Sequence, residues 1–191
     1  MNEGGLTMKK VLIIGNFHQL GQKVYDKLSN QYEVKLLDGI DFEDVSAYAD
    51  NLEGVNVIYT FLGPLDVDLQ IGAVIQALDR VNPPLEQFIM LSTAGIDNEL
   101  TEEVTYPDVD NNKEYLNQQR YAVKLVDEYE IPYTILRPVE IVDEQSGELD
   151  VIDEGISMQY GRVSADNVAN TAVKVVEYQQ FINQSIGLIE R

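Results

Sequence analysis

Short apolar runs alternate with stretches of helical periodicity along almost the whole chain, and that alternation leaves few architectures open. "KKVLII" (residues 9–14) is a continuous apolar run, as in a strand buried on both faces. Leu20, Val24 and Leu28 then recur at helical spacing, with Tyr25 beside them. "YEVKLL" is a second strand ending at Asp38, and "FEDVSAYADNL" a short helix. "VNVIYTFLG" is a strand that stops at Gly63-Pro64. Ile71, Val74, Ile75 and Leu78 mark the next helix, closed by Asn82-Pro83-Pro84. "QFIMLST" reads as a strand, residues 112–130 as a helix ending before Ile131-Pro132, and "YTILRP" as a strand. Ser164 is placed to cap a helix carrying Val168, Ala172 and Val175, with Asp166 in its first turn. "SIGLIE" closes the chain as an edge strand. Strands and helices in strict alternation imply a three-layer α/β domain with a doubly wound parallel sheet.

Composition narrows the function classes. The 191 residues suit one domain, and 45% hydrophobic content is enough for a core. Apolar runs such as Val55 to Leu62 are far shorter than the ~20 residues of a membrane helix. "MNEGGLTMKK" lacks the apolar core of a signal peptide, and Met8 before two lysines is itself a candidate start. Residues 1–7 are therefore expected to be a loose extension, residues 8–191 a single domain, and the protein cytoplasmic. With no cysteine and one histidine there is no disulfide framework, thiolate metal site, cysteine nucleophile or histidine cluster. The formal net charge is -20, from 33 acids against 13 bases. Such a surface favours solubility and repels phosphate backbones, so neither nucleic acid nor membrane is an expected partner. The same field disfavours a polyanionic cofactor, NADP more than NAD.

Five pieces in order carry a resemblance: "VLIIGNFHQLG", "VIYTFLGP", "FIMLSTAGI", "YTILRPVEI" and "GRVSADNVANTAV". Over roughly residues 8–189 the chain resembles a compact, atypical short-chain dehydrogenase/reductase of the NmrA-like NAD(P)-binding group. The resemblance implies a Rossmann sheet with the cofactor over the carboxyl ends of the strands. It puts backbone contacts around Gly15, Asn16, His18, Leu20 and Gly21, then at Asp38, Leu62, Gly63 and Ser92, with Arg137 and Pro138 near the nicotinamide end.

The chain departs from that family pattern at four places. The G-x-x-G-x-x-G loop falls on Gly15, His18 and Gly21, so the glycine that lets backbone approach a pyrophosphate is missing. The helix N-terminus remains as an anion site. Gly15 and Gly21 can also be purely structural, and His18 can donate to a phosphate, obstruct it, or do neither. Asp38, about twenty residues on, suits the ribose hydroxyls of NAD and repels a 2′-phosphate, or is only the turn residue before Gly39. "KLLDGIDFEDV" leaves no room for the family's third strand, which implies the order 2-1-3-4-5. The catalytic pattern Ser with Tyr-x-x-x-Lys is met by Ser92 and Tyr115, but Gln119 stands where the lysine belongs. Tyrosine titrates near ~10 unless a cation stabilises its anion. Lys113 and Lys124 are misdirected on the same helix, and Arg120 is little better. Ser92 and Tyr115 can also be a strand-end cap and a packing residue.

These departures lead to a degraded cofactor loop and catalytic motif. The leading reading is a weak dinucleotide binder, or a ligand-free one, with a regulatory or scaffold role against a protein partner. The alternative is a small NAD(P)-dependent oxidoreductase or epimerase acting by direct hydride transfer, as some compact relatives do without the tetrad. NAD is expected over NADP if either binds. Residues 139–163 include seven acids and are too short for a separate substrate domain, though long enough for a lid.

Overall fold

The computed structural model describes residues 8–15, 19–144 and 147–191. The first half of the chain runs β1 (Lys10–Gly15), α1 (Gln19–Leu28), β2 (Glu33–Leu37), α2 (Val45–Ala49), β3 (Val57–Phe61), α3 (Val67–Val81) and β4 (Gln87–Leu91). It continues with α4 (Asn112–Glu128), β5 (Tyr133–Pro138), β6 (Glu140–Val142), β7 (Leu149–Ile152), β8 (Arg162–Ser164), α5 (Ala165–Tyr178) and β9 (Gln184–Glu190). Seven strands form one sheet in the order β2-β1-β3-β4-β5-β9-β7, parallel throughout except for β7 against β9. Strands β6 and β8 make a small separate parallel pair.

Both faces of the sheet are buried at its centre, which is why β1, β3 and β4 read as apolar runs. Val11, Ile13, Val57 and Ile89 pack with Leu20, Val24 and Leu28 of α1 and Val168, Ala172 and Val175 of α5. Leu12, Ile14, Ile58 and Phe88 point the other way, onto Tyr48 of α2, Ile71 and Leu78 of α3 and Val126 of α4. The three layers and the order 2-1-3-4-5 agree with the sequence. Between β2 and β3 stands only the five-residue α2, so the family's usual third strand is indeed missing. Ser164 caps α5 by accepting the Asn167 N–H at 3.2 Å, and Asn111 caps α4 by accepting the Glu114 N–H at 3.2 Å.

The carboxyl-terminal strand extends the sheet beyond β5, as the sequence implies, and one further strand joins it there: β9 runs parallel to β5, and β7 pairs antiparallel on its outer side. The signal for β7 is four half-buried residues in the acid-rich 139–163 segment, too short and too interrupted to show a period. Gly187 makes the pairing close, since a Cβ there would stand 2.7 Å from Met158 Sδ.

The chain leaves β1 toward β2 on one side and returns to β3 on the other. The strand order therefore reverses between β1 and β3, and a crevice opens outside their carboxyl ends. Phe61, the last residue of β3, shapes that crevice. A Cβ on Gly15, whose φ is +141°, would stand 2.5 Å from the Phe61 carbonyl oxygen. One on Gly21 would strike the tip of the Phe61 ring. Both glycines are thus required by the packing of the end of β3 against the end of β1 and the first turn of α1.

That packing predicts a reversal of sign. In an unobstructed helix Gly→Ala stabilises by about 1 kcal/mol. Gly21→Ala should instead destabilise by about 1–2 kcal/mol, because the methyl overpacks against Phe61. In a Phe61→Leu background the same change should become neutral or stabilising. Urea unfolding of the four proteins tests this, and stabilisation in both backgrounds would exclude the contact.

Candidate active-site cleft

A cleft of about 560 Å³ lies over the carboxyl ends of β3, β4 and β5. Its floor is built from strand ends: Phe61 and Leu62 after β3, Leu91 to Thr93 after β4, Pro138 and Val139 after β5. Helix α4 supplies one wall. Tyr115 and Gln119 are four residues apart, so they share the buried face that continues through Ala122 and Val126. Tyr106, Ile141 and Tyr160 close the other sides.

The sequence-predicted trio comes together here. The Ser92 hydroxyl donates to Gln119 Oε1 at 2.9 Å, and Gln119 is only 3% exposed. The Tyr115 phenol is hydrogen-bonded to the Thr93 side chain. The Tyr115 ring packs against that of Tyr106, centroids 4.9 Å apart and planes tilted by 53°. Tyr106 in turn donates to the Ala94 carbonyl at 2.8 Å.

Burial raises the Tyr115 pKa; the Thr93 hydrogen bond only partly opposes it, and the Tyr160 phenol adds to it. Tyr106 is also raised, by burial first and then by Tyr115 and Glu99. Tyr160 follows, through burial and the Glu140 carboxylate. Burial thus favours the protonated form of all three phenols. The Tyr106 hydroxyl is committed to Ala94, which leaves those of Tyr115 and Tyr160 as the donors on the cleft wall.

The cations near this helix are engaged elsewhere. Arg120 bonds the Ile96 carbonyl, Asn117 Oδ1 at 3.0 Å and Asn98 Oδ1 at 3.3 Å. Lys124 pairs with Glu128 at 3.5 Å on the outer face. Lys113 lines a separate shallow groove with Asp68 and Gln118. Among the described residues no cluster of three or more histidine, aspartate or glutamate side chains could hold a metal ion. No helix among them is long and apolar enough to cross a membrane.

With this geometry in view, the comparisons decide the family. The sequence matches the NAD(P)H-binding family over residues 22–179. The chain belongs to that family. A short-chain dehydrogenase/reductase from Veillonella parvula, solved in complex with NADP, has the same fold. It superimposes with a TM-score of 0.80 at 20% identity, over 96% of this chain and 95% of that one. A Rossmann-fold NAD(P)-binding protein from Shigella flexneri matches with a TM-score of 0.75 at 20% identity, covering 96% and 94%. An anaerobillin reductase from Escherichia coli O157:H7 matches with a TM-score of 0.72 at 17% identity, covering 95% and 97%. No protein of curated function matches the sequence.

Within this NAD(P)H-binding domain the remaining candidates fall into three groups. Leu20, Leu62, Gly63 and Pro138 line the cleft with the trio. Asp38 is exposed one step beyond the Ile14↔Leu37 pairing, level with Gly15, and its carboxylate accepts the Gly39 N–H at 2.6 Å. Asn16 and His18 lie outside the described residues. Arg137 must be corrected. Its guanidinium is 0% exposed and does not reach the cleft. Strand alternation turns it away from its neighbour Pro138, toward Glu99, Asp97 at 3.4 Å and the Ser185 carbonyl at 3.3 Å.

Sequence reasoning missed Phe61, Thr93, Tyr106, Glu140 and Tyr160 as lining residues. Thr93 was legible, being next to Ser92. Tyr106 and Tyr160 come from irregular segments, where no period indicates which side chains converge.

The raised phenol has a consequence for stability. The ordinary value is 10.0. With the folded value higher, the contribution of Tyr115 is fully present below about pH 10 and is lost as pH rises through the folded pKa. Tyr115→Phe should flatten the loss of stability above pH 10 by at most ~1.4 kcal/mol per pH unit. Urea midpoints at pH 8 and pH 11 measure this. Parallel losses in both proteins would show that Tyr115 titrates normally.

Proposed function

We propose that the protein binds NAD(H) across the carboxyl ends of β1 to β5 and reduces a planar conjugated acceptor held in the tyrosine-walled cleft. The observation that carries this reading is the convergence of Phe61, Tyr106, Tyr115 and Tyr160 over the Ser92–Gln119 pair. Flat aromatic walls favour a flat ligand. The residues fit the nicotinamide half of the cofactor, where Ser92 and Gln119 offer neutral polar groups to a ribose and amide. When bound, a reduced nicotinamide supplies a hydride.

The chain's own residues suit reduction better than oxidation. Reduction puts negative charge on an acceptor oxygen, and protonated phenols can donate hydrogen bonds to it. Alcohol oxidation needs a base, and Tyr115 has neither a neighbouring cation nor a lowered pKa. The apolar strand-end residues exclude water from the acceptor.

A second reading keeps specific support. Gly15 and Gly21 are explained by Phe61 alone, and Gln119 is occupied by Ser92. Both facts suit a weak dinucleotide binder with a regulatory or scaffold role. Turnover separates the two readings. NADH oxidation in the presence of a naphthoquinone is expected, with Tyr115→Phe lowering kcat/KM by roughly 10²-fold and leaving the NADH Kd unchanged. NADH binding without turnover of any conjugated acceptor would favour the regulatory role.

Cofactor preference follows from Asp38. Its carboxylate beside the β1 exit repels a 2′-phosphate, so NADH should bind about tenfold more tightly than NADPH. Asp38→Ser should narrow that gap. Calorimetry with both cofactors checks it, and tighter NADPH binding by the native protein would overturn the role of Asp38.

A further inference from the structure

We propose that this cleft selects against acceptors bearing an anionic group, so that its substrates are neutral or cationic conjugated compounds, and that Glu140 and Asp143 enforce the choice. The inference rests on the reductase reading above and adds the charge class of the substrate.

The observation is the sign of the charge around the cleft. Its described lining holds two ionisable acids, Glu140 and Asp143, and no lysine or arginine. Everything else there is apolar, aromatic or a neutral hydrogen-bonding group. Glu140 and Tyr160 line the same cleft, and after burial it is the Glu140 charge that raises the Tyr160 phenol. The nearby cations give no counterweight. Lys23, one turn beyond Leu20 on α1, is 3.0 Å from Asp166 at the start of α5. Arg162 lies 3.7 Å from Glu140 itself, with both side chains exposed, so it only dilutes that charge. Arg120 faces the loop at 95–98, and Arg137 is buried against Glu99.

A phosphate, sulfonate or carboxylate on the acceptor would enter this cleft without a partner and against two like charges. The net charge of -20 opposes its approach as well. Like-charge juxtaposition is a recognised source of specificity. A neutral acceptor meets none of these costs and keeps the aromatic walls and phenol donors.

Naphthoquinone and its sulfonate give a matched pair of probes. In either reaction NADH and one proton from water reduce the quinone to the hydroquinone, and NAD+ is released. The sulfonate withdraws electrons and makes the quinone the stronger oxidant, so intrinsic reactivity works against the expected order. The chain has no cysteine, so thiol addition to the quinone cannot confuse the rates. The full-length protein should turn over the neutral quinone with a kcat/KM about tenfold or more above that of the sulfonate. High salt should narrow the gap, because exposed charges are screened. The double variant Glu140→Gln/Asp143→Asn should narrow it further, by raising the ratio of the sulfonate's kcat/KM to that of the neutral quinone. An unchanged urea midpoint and NADH Kd report an intact fold.

Equal rates for the two quinones, a preference for the sulfonate, or a gap untouched by the double variant would overturn the inference and leave the reductase reading standing. If neither quinone is reduced while NADH binds, the reductase reading fails. Equilibrium dialysis of the two quinones then decides the charge class by itself. Tighter retention of the neutral quinone, lost in the double variant, supports it, and equal or reversed retention overturns it.

Discussion

The ring of Phe61 holds the crevice together. It ends the strand next to β1 and lies against the backbone of Gly15 and Gly21. One side chain thereby sets how the chain leaves β1, how closely α1 approaches the sheet, and where the floor of the cleft begins. A glycine pattern that reads as a phosphate cradle is also what this aromatic needs. The two uses share a cause, since both require backbone to come closer than a Cβ permits. Gly15 and Gly21 therefore establish close packing, and nucleotide binding has to be argued from the cleft and the family.

The other side of the cleft depends on buried charge. Glu99 accepts the N–H groups of Gly95 and Asp97 at 3.0 Å each and pairs with the buried Arg137. Arg120 grips the same loop from α4. Removing one partner of such a pair is costly, about 3–5 kcal/mol, because the other charge stays buried. The pair fixes the segment after β4. Ala94 in that segment accepts the Tyr106 hydroxyl, and Tyr106 packs on Tyr115. Arg137 thus acts on the cleft at a distance, by holding the loop that holds Tyr106.

The layers were legible in the sequence because the central strands β1, β3, β4 and β5 are buried on both faces and each main helix on one, so burial writes its own period. The missing third strand was legible from chain length between Leu37 and Val57 alone. Ser92, Tyr115 and Gln119 were legible as neighbours, since a strand end and a four-residue helical step fix their places. Other features had no such signal. Strand β7 is four residues long and interrupted by Asp150. Arg137 and Pro138 are adjacent in sequence, yet pleating sends them to different surroundings, and motif likeness does not say which way a side chain turns. Tyr106 and Tyr160 reach the cleft from irregular backbone, whose course is set by contacts distant in sequence.

The distribution of charge decides how a dinucleotide would be held. At the phosphate end the described residues offer the N-terminus of α1, equivalent to about half a positive charge, with Asp38 close by. At the nicotinamide end the cleft offers aromatic surface and neutral hydrogen-bonding groups. Under the proposed function, aromatic and apolar surface at the nicotinamide end would carry much of the cofactor's affinity. Under the proposed function cofactor and acceptor draw on the same aromatic walls, and each covers surface that the other leaves exposed. On that reading, weak binding of the cofactor alone would not imply a defunct enzyme. The replacement of the expected lysine by Gln119 has the same double meaning. It removes the cation that would make Tyr115 a base, and it leaves Tyr115 a phenol able to donate to an acceptor oxygen. Under the proposed function, a site without that cation keeps a phenol donor suited to the reduction of a conjugated acceptor.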